Sequence, residues 1–260
     1  MSANLKSVAT PSARGRVSKE EWEVRVDLAA AYQLAALFRW TDLIYTHFSA
    51  RVPGTEHMLI NPYGLMFDEI TASSLVKIDM AGNALDDPTG MGVNEAGFVI
   101  HGCVHEARPE ISCVLHTHTR AGVAVSAQKC GLLPLSQHAL RVQAQVTYHD
   151  YEGIALEMDE RERLARDLGR TSKAMILRNH GLLTLGDTVR EAFELMYYLD
   201  CACQIQVDAL AGGMQNVQLM SEQAARTAAA QFERPDRTSV HKDWPAMLRM
   251  LDRKGVNYRE

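Results

Sequence analysis

The sequence predicts a mixed α/β (α+β) fold in which one mainly antiparallel sheet is flanked by helices, and three observations lead there. Apolar residues make up 47% and charged residues 23% of the 260, the balance of a globular chain that buries a core. Short β-branched and aromatic runs interleave with alanine- and leucine-rich stretches of helical period. The spacings between the strand-like runs are irregular, which argues against the steady strand–helix repeat of an all-parallel sheet.

Residues 1–19 carry Lys6, Arg14, Arg16 and Lys19 with no acid before Glu20, and read as a frayed N-terminal tail. Ser18-Lys-Glu-Glu21 is a capping box, and the Trp22–Trp40 stretch behind it lacks Gly and Pro, so a helix starts here. Leu43–Ser49 and Met58–Asn61 read as strands between the turn signals Pro53-Gly54 and Pro62-Tyr63-Gly64. A helix is expected over Glu95–Ala107, closed by Pro109. Then follow a strand at Ile111–Thr117, a helix at 120–128, a strand at Val142–Tyr148 and a charged helix at Asp159–Leu168. Strands at Lys173–Leu177 and Leu182–Leu185 lead into a long helix from Thr188 to about Leu210, and weaker helical patterns cover 221–233 and 242–253. Residues 20–215 are therefore expected to form the main domain, with 216–260 a helical extension packed on it.

A formal net charge of −5 leaves no basic field for a phosphate backbone, so nucleic acid is not an expected partner. No apolar run approaches membrane-spanning length, and no secretory signal opens the chain. The five cysteines, at 103, 113, 130, 201 and 203, make no disulfide framework or CxxC pair, and read as reduced core thiols of a cytoplasmic protein.

Chemistry points to the histidines. Seven of the ten lie between 101 and 180. His116 and His118 are two apart on an expected strand, so both imidazoles leave one face. Neighbouring buried imidazoles are costly unless a cation or an acid joins them. His180 lies between two apolar runs, and Gly181 after it permits a sharp turn or a close approach. Three neutral imidazoles leave a zinc ion one open position, the arrangement of a catalytic site. His101 and His105, four apart on the expected helix, are a competing pair, but lack the HExxH pattern of metalloproteases. His47, His57, His138, His149 and His241 have no spacing that favours a ligand role. No dinucleotide fingerprint, Walker loop or nucleophile elbow is present.

The segments Asn94–His101, Val114–Thr119, Ala124–Ser126, Lys129–Pro134, Tyr148–Gly153 and Ile176–Gly181, extended by Ile70–Asp79 and Cys203–Val207, resemble the class II aldolase/adducin family across roughly residues 20–215. Within it the chain looks most similar to adducin heads and their bacterial relatives. The resemblance implies a central antiparallel sheet, a divalent metal (zinc foremost, with iron or manganese as alternatives), a small-molecule substrate and assembly as a homotetramer. It carries the metal ligands onto His116, His118 and His180, in agreement with their spacing.

One departure stands out. Sugar-phosphate aldolases of the family place an acid/base carboxylate four residues before the helix histidine, and here that position is Gly97, preceded by Glu95 and Ala96. A phosphorylated sugar is therefore disfavoured. The expectation is a metal-dependent lyase, cleaving or decarboxylating a small non-phosphorylated hydroxy- or keto-acid while the metal stabilises an enediolate or enolate. Glu95 or Tyr148 is then the candidate proton donor, and His101 lines the pocket as a substrate-binding residue. Two alternatives use the same residues. Adducin heads share the glycine, which makes a non-catalytic oligomeric binding module the second reading. Non-haem Fe(II) oxygen chemistry on the three histidines is the third.

Overall fold

The computed structural model describes residues 10–153, 158–232 and 242–260, with the side chains of residues 95, 96, 158 and 159 outside the description. The Ser18 hydroxyl accepts the Glu21 N–H at 3.1 Å and starts helix α1 (Lys19–Leu37). Glu21 does not complete the capping box. Its carboxylate instead bonds the buried Arg25 and Lys77, each at 2.9 Å. Eight strands follow: β1 (His47–Arg51), β2 (Met58–Ile60), β3 (Val76–Ile78), β4 (Ala84–Asp86), β5 (Cys113–Thr117), β6 (Val146–His149), β7 (Ala174–Leu177) and β8 (Gly181–Gly186). They form one sheet in the order β4-β3-β2-β1-β5-β8-β7-β6, antiparallel throughout except for the β6·β7 pair.

Helices α2 (Glu95–Ala107) and α5 (Met158–Leu168) cover one face of the sheet. There Ile100, Val104 and Leu164 pack on Val114, Met175 and Leu183. The other face packs against α1, α3 (Arg120–Ser126), α4 (Gln137–Val142) and α6 (Val189–Leu210), with Leu28, Tyr32, Phe48, Leu115, Leu182 and Phe193 in its core. Alternation of side chains along the strands makes this two-sided burial possible. Both faces are apolar, so the central strands read as nearly continuous hydrophobic runs.

Four expectations need correction. The expected strand over Val142–Tyr148 starts only at Val146. Before it runs α4, capped by the Ser136 hydroxyl on the Ala139 N–H at 3.1 Å. Ala139 and Val142 face the core at helical rather than strand spacing. Leu43–Tyr45 are not part of β1, because Leu43 and Thr46 hold φ of 50° and 69°, which a strand cannot contain. The leading segment is not frayed from Thr10 on: Ala13 is fully buried and its N–H donates to the Ser73 hydroxyl at 2.9 Å. Residues 1–9 of that expected tail lie outside the described residues. Finally, Cys130 is exposed, whereas Cys103, Cys113 and Cys203 are buried and all five thiols are free.

Beyond residue 216, α7 (Glu222–Phe232) packs on α4. Helix α8 (Asp243–Arg253) buries Trp244 and Leu251, and the Trp244 indole donates to Asp27 of α1 at 3.1 Å. Among the described residues no helix is long and apolar enough to cross a membrane.

Candidate metal centre

The three expected ligands meet. His116 lies in β5, His118 one residue past its end, and His180 in the turn between β7 and β8. One ring nitrogen from each falls within 4.8 Å of the others. The ring centroids are 4.7–4.8 Å apart. Gly181 is what lets the β7–β8 turn come so close: a Cβ there would lie 2.4 Å from the Thr117 carbonyl oxygen and 3.0 Å from the His118 ring.

The hydrogen-bond partners assign the tautomers. His116 Nδ1 faces the Leu182 carbonyl at 3.0 Å, and His118 Nδ1 faces an Asp42 carboxylate oxygen at 2.9 Å. Both partners are acceptors, so both Nδ1 atoms carry the hydrogen. The two Nε2 atoms then confront each other with bare lone pairs at 2.9 Å. That contact is repulsive unless a positive species lies between them. Burial, with the charges of His180 and His118, pushes His116 well below the ordinary imidazole value. Burial and His118 lower His180 to about 4. Burial thus disfavours a charge on His116 and on His180, and two facing lone pairs with a third imidazole nitrogen within 4.8 Å suit a divalent cation. Asp42 supplies the carboxylate–imidazole support that commonly orients a metal ligand.

Backbone strain gathers at this centre. Among the described residues the non-glycine positions with positive φ are Arg39, Leu43, Thr46 and Asn179. The first three bend the α1–β1 connection that carries Asp42, and the fourth immediately precedes His180. Such conformations cost energy and persist where surrounding structure holds a functional geometry. The Trp40 indole anchors the bent connection by donating to Asp200 of α6 at 2.9 Å.

The other expected site residues fall differently. Tyr148 pairs with Ile176, which pairs with Leu182 and so with Thr117. It therefore leaves the sheet face opposite to His116. Its hydroxyl accepts the Leu132 N–H at 2.9 Å, and Arg178 lies 4.2 Å over its ring. Tyr148 is thus not brought to the centre as a proton donor. The tyrosine beside the triad is Tyr151, whose exposed ring lies 6.3 Å from that of His180. Glu95 opens α2, and its side chain lies outside the described residues. His101 is buried rather than lining an open pocket. Its Nδ1 bonds the Ser49 hydroxyl at 2.7 Å, and His105 Nε2 bonds the same hydroxyl at 2.9 Å.

Spacing gave no ligand role to His47, yet its Cα pairs with that of His116 across β1·β5. The alternating positions His47, Ser49 and Arg51 of β1 face the four-residue repeat Gly97, His101 and His105 of α2. The Arg51 guanidinium bonds the His105 carbonyl. A polar seam thus runs under α2 through an otherwise apolar layer. Asp42 escaped notice in the sequence and His47 was given no role, because neither has a characteristic spacing. Their proximity to the triad comes from strand pairing and a bent loop.

Fold and centre together define the class: the chain belongs to the class II aldolase and adducin N-terminal domain family, whose sequence profile matches residues 26–207. A solved aldolase II superfamily protein from Pseudomonas syringae is 54% identical, with a TM-score of 0.93 covering 96% of this chain and 100% of that one. A Caulobacter vibrioides protein, whose name places it provisionally among the class 2 aldolases, is 51% identical over 98% of both chains. Rat alpha-adducin is 44% identical over 93% of this chain but only 35% of its own length. The L-fuculose 1-phosphate aldolase from Glaciozyma antarctica PI12 is 26% identical, with a TM-score of 0.81 over 97% of this chain and 98% of that one.

Proposed function

We propose that this protein is a divalent-metal-dependent lyase that cleaves or decarboxylates a small, non-phosphorylated hydroxy- or keto-acid. The observation that carries the proposal is the pair of bare Nε2 lone pairs on His116 and His118 at 2.9 Å, with His180 closing the third side. These three would hold the cation, zinc foremost because all donors are neutral imidazoles. Such an ion polarises a ligated substrate oxygen and stabilises negative charge developing on it. Asp42 would keep His118 in the ligating tautomer. Gly97 stands where a phosphate-sugar aldolase of the family carries its acid/base carboxylate, which favours a reaction that needs an electron sink more than proton abstraction, as loss of CO₂ does. The same reading takes the protein to be cytoplasmic and homotetrameric.

The similarity to alpha-adducin favours a second reading, in which the centre stabilises an oligomeric binding module without turnover. One experiment tests the metal: mass spectrometry of protein purified without a histidine tag, beside a His116→Ala/His118→Ala double variant. About one zinc or iron per chain in the wild type and none in the variant is expected. A folded, metal-free wild type rejects the proposal. Turnover of any acid in a hydroxy- and keto-acid panel rejects the binding-module reading.

A further inference from the structure

The polar seam beneath α2 takes no part in holding the cation. Ser49, His101 and His105 are all buried. The Ser49 hydroxyl lies 2.7 Å from His101 Nδ1 and 2.9 Å from His105 Nε2. The outer nitrogens, His101 Nε2 and His105 Nδ1, are buried with no hydrogen-bond partner among the described residues. Apolar side chains would fill this layer at lower cost, so three linked polar groups with open ends call for an explanation. One end of the seam adjoins the metal centre. The His101 ring stands edge-on to that of His47, centroids 6.2 Å apart, and His47 pairs across the strands with His116. Gly97 leaves room for the His47 ring, since a Cβ there would lie 2.3 Å from its Nδ1. His47 Nε2 is likewise buried and without a partner among the described residues. At the other end, His105 lies in the wall of a cleft of about 690 Å³ with Arg51, Cys103, Glu106 and Arg161.

A hydroxyl carries one hydrogen, and this couples the two rings. If Ser49 donates to His105 Nε2, its oxygen accepts from His101 Nδ1, and both rings carry their hydrogen on Nδ1. If Ser49 donates to His101 Nδ1, its oxygen accepts from His105 Nε2, and both rings carry it on Nε2. Passing between the two states takes up a proton at one outer nitrogen and releases one at the other, leaving no charge in the buried layer. We propose that His101, Ser49 and His105 form a proton relay between the cleft and the metal centre. In the delivering direction His101 Nε2 releases its proton toward the centre, where the electron pair on the enolate carbon left by bond cleavage takes it. The Ser49 hydrogen passes to His101 Nδ1, the His105 Nε2 hydrogen passes to the Ser49 oxygen, and a solvent proton from the cleft joins His105 Nδ1. A proton offered to His101 Nε2, as when a substrate C–H ionises, runs the chain back. The inference rests on the lyase reading above and deepens it: the relay moves the proton that Gly97, having no side chain, cannot.

The test uses the zinc-loaded full chain with isotope-labelled histidine, its metal content fixed by mass spectrometry and its folding checked by thermal melting. Long-range nitrogen–proton NMR reports the tautomer of each ring, with His101→Gln and His105→Gln identifying the signals. Near neutrality both rings are expected to be uncharged and to share one tautomer, or one average of the two, and Ser49→Ala is expected to uncouple them. Opposite tautomers in the wild type overturn the relay. The second arm follows exchange of the methyl hydrogens of pyruvate in heavy water by proton NMR. Ser49→Ala removes the hydroxyl but neither ring, and His105→Gln cuts the far half of the chain. Each is expected to slow exchange at least tenfold at unchanged zinc content, a loss within the scale of proton-transfer catalysis. Should Ser49→Ala fail to fold, the wild-type tautomers and His105→Gln decide alone. Exchange within twofold of wild type in either folded variant overturns the relay and leaves the lyase reading standing. A zinc-loaded wild type that exchanges nothing overturns the lyase reading and the relay with it, and a wild type that retains no zinc overturns the metal reading itself.

Discussion

Acid should unfold this protein partly through His105, and the size of the effect follows from its surroundings. The side chain is fully buried between α2 and β1, with Ser49 on one nitrogen and the Arg51 guanidinium on its own carbonyl. Burial first, then the charge of Arg51, lowers it from 6.5 to about 3. The native state thus keeps His105 neutral where the unfolded chain protonates it. Below 6.5 the unfolded state binds the extra proton, so stability falls as pH drops and continues to fall until about 3. From neutrality to about pH 5, roughly 1.5 pH units below the unfolded value, His105 alone should remove about 2 kcal/mol, at about 1.4 kcal/mol per unit. His105→Gln retains an amide that can pair with Ser49 but cannot titrate. Urea unfolding of both proteins in excess chelator, near pH 7 and near pH 5, isolates the difference. The wild type should lose about 2 kcal/mol more than the variant, or roughly 4–8 °C in melting temperature. Equal losses in the two proteins, within roughly 0.5 kcal/mol, would refute the assignment of a buried neutral imidazole.

Two other perturbations reach the centre from outside the triad. Asp42→Asn removes the carboxylate that fixes His118 through a 2.9 Å contact, and should weaken metal retention about 10–100-fold in a chelator competition without unfolding the chain. Asn179 holds φ of 56° ahead of His180. Asn179→Val should lower stability by about 1–2 kcal/mol and reduce metal stoichiometry, while Asn179→Gly stays close to wild type in both measurements.

Much of the fold was legible because its elements carry local signals. The Ser18 capping signal, the helix start at Thr188, the Gly- and Pro-free stretch before Trp40 and the apolar runs at 174–177 and 182–185 each depend on near neighbours in sequence, and the structure places helices and strands there. Helix α4 was missed because Leu140, Val142 and Val146 are spaced much as a strand would space them. The Ser136 cap and packing against α6 select the helix. The burial of Ala13 was equally invisible, since it depends on Ser73, sixty residues away.

The candidate site divides in the same way. The pair His116 and His118, and the glycine after His180, could be found from sequence, because strand alternation and close backbone approach are properties of a few consecutive residues. Tyr148 failed as a neighbour of the triad because strand register sends its side chain to the opposite face. Asp42, His47 and the room left by Gly97 required the fold itself. By itself the sequence determined most of the element types, a sheet flanked by helices, and the three histidines that meet. The tertiary structure alone decided which lone pairs confront each other and which imidazole stands unpartnered beside them. Those facts depend on cross-strand register and on contacts between residues far apart in the chain, which no local pattern of residues encodes.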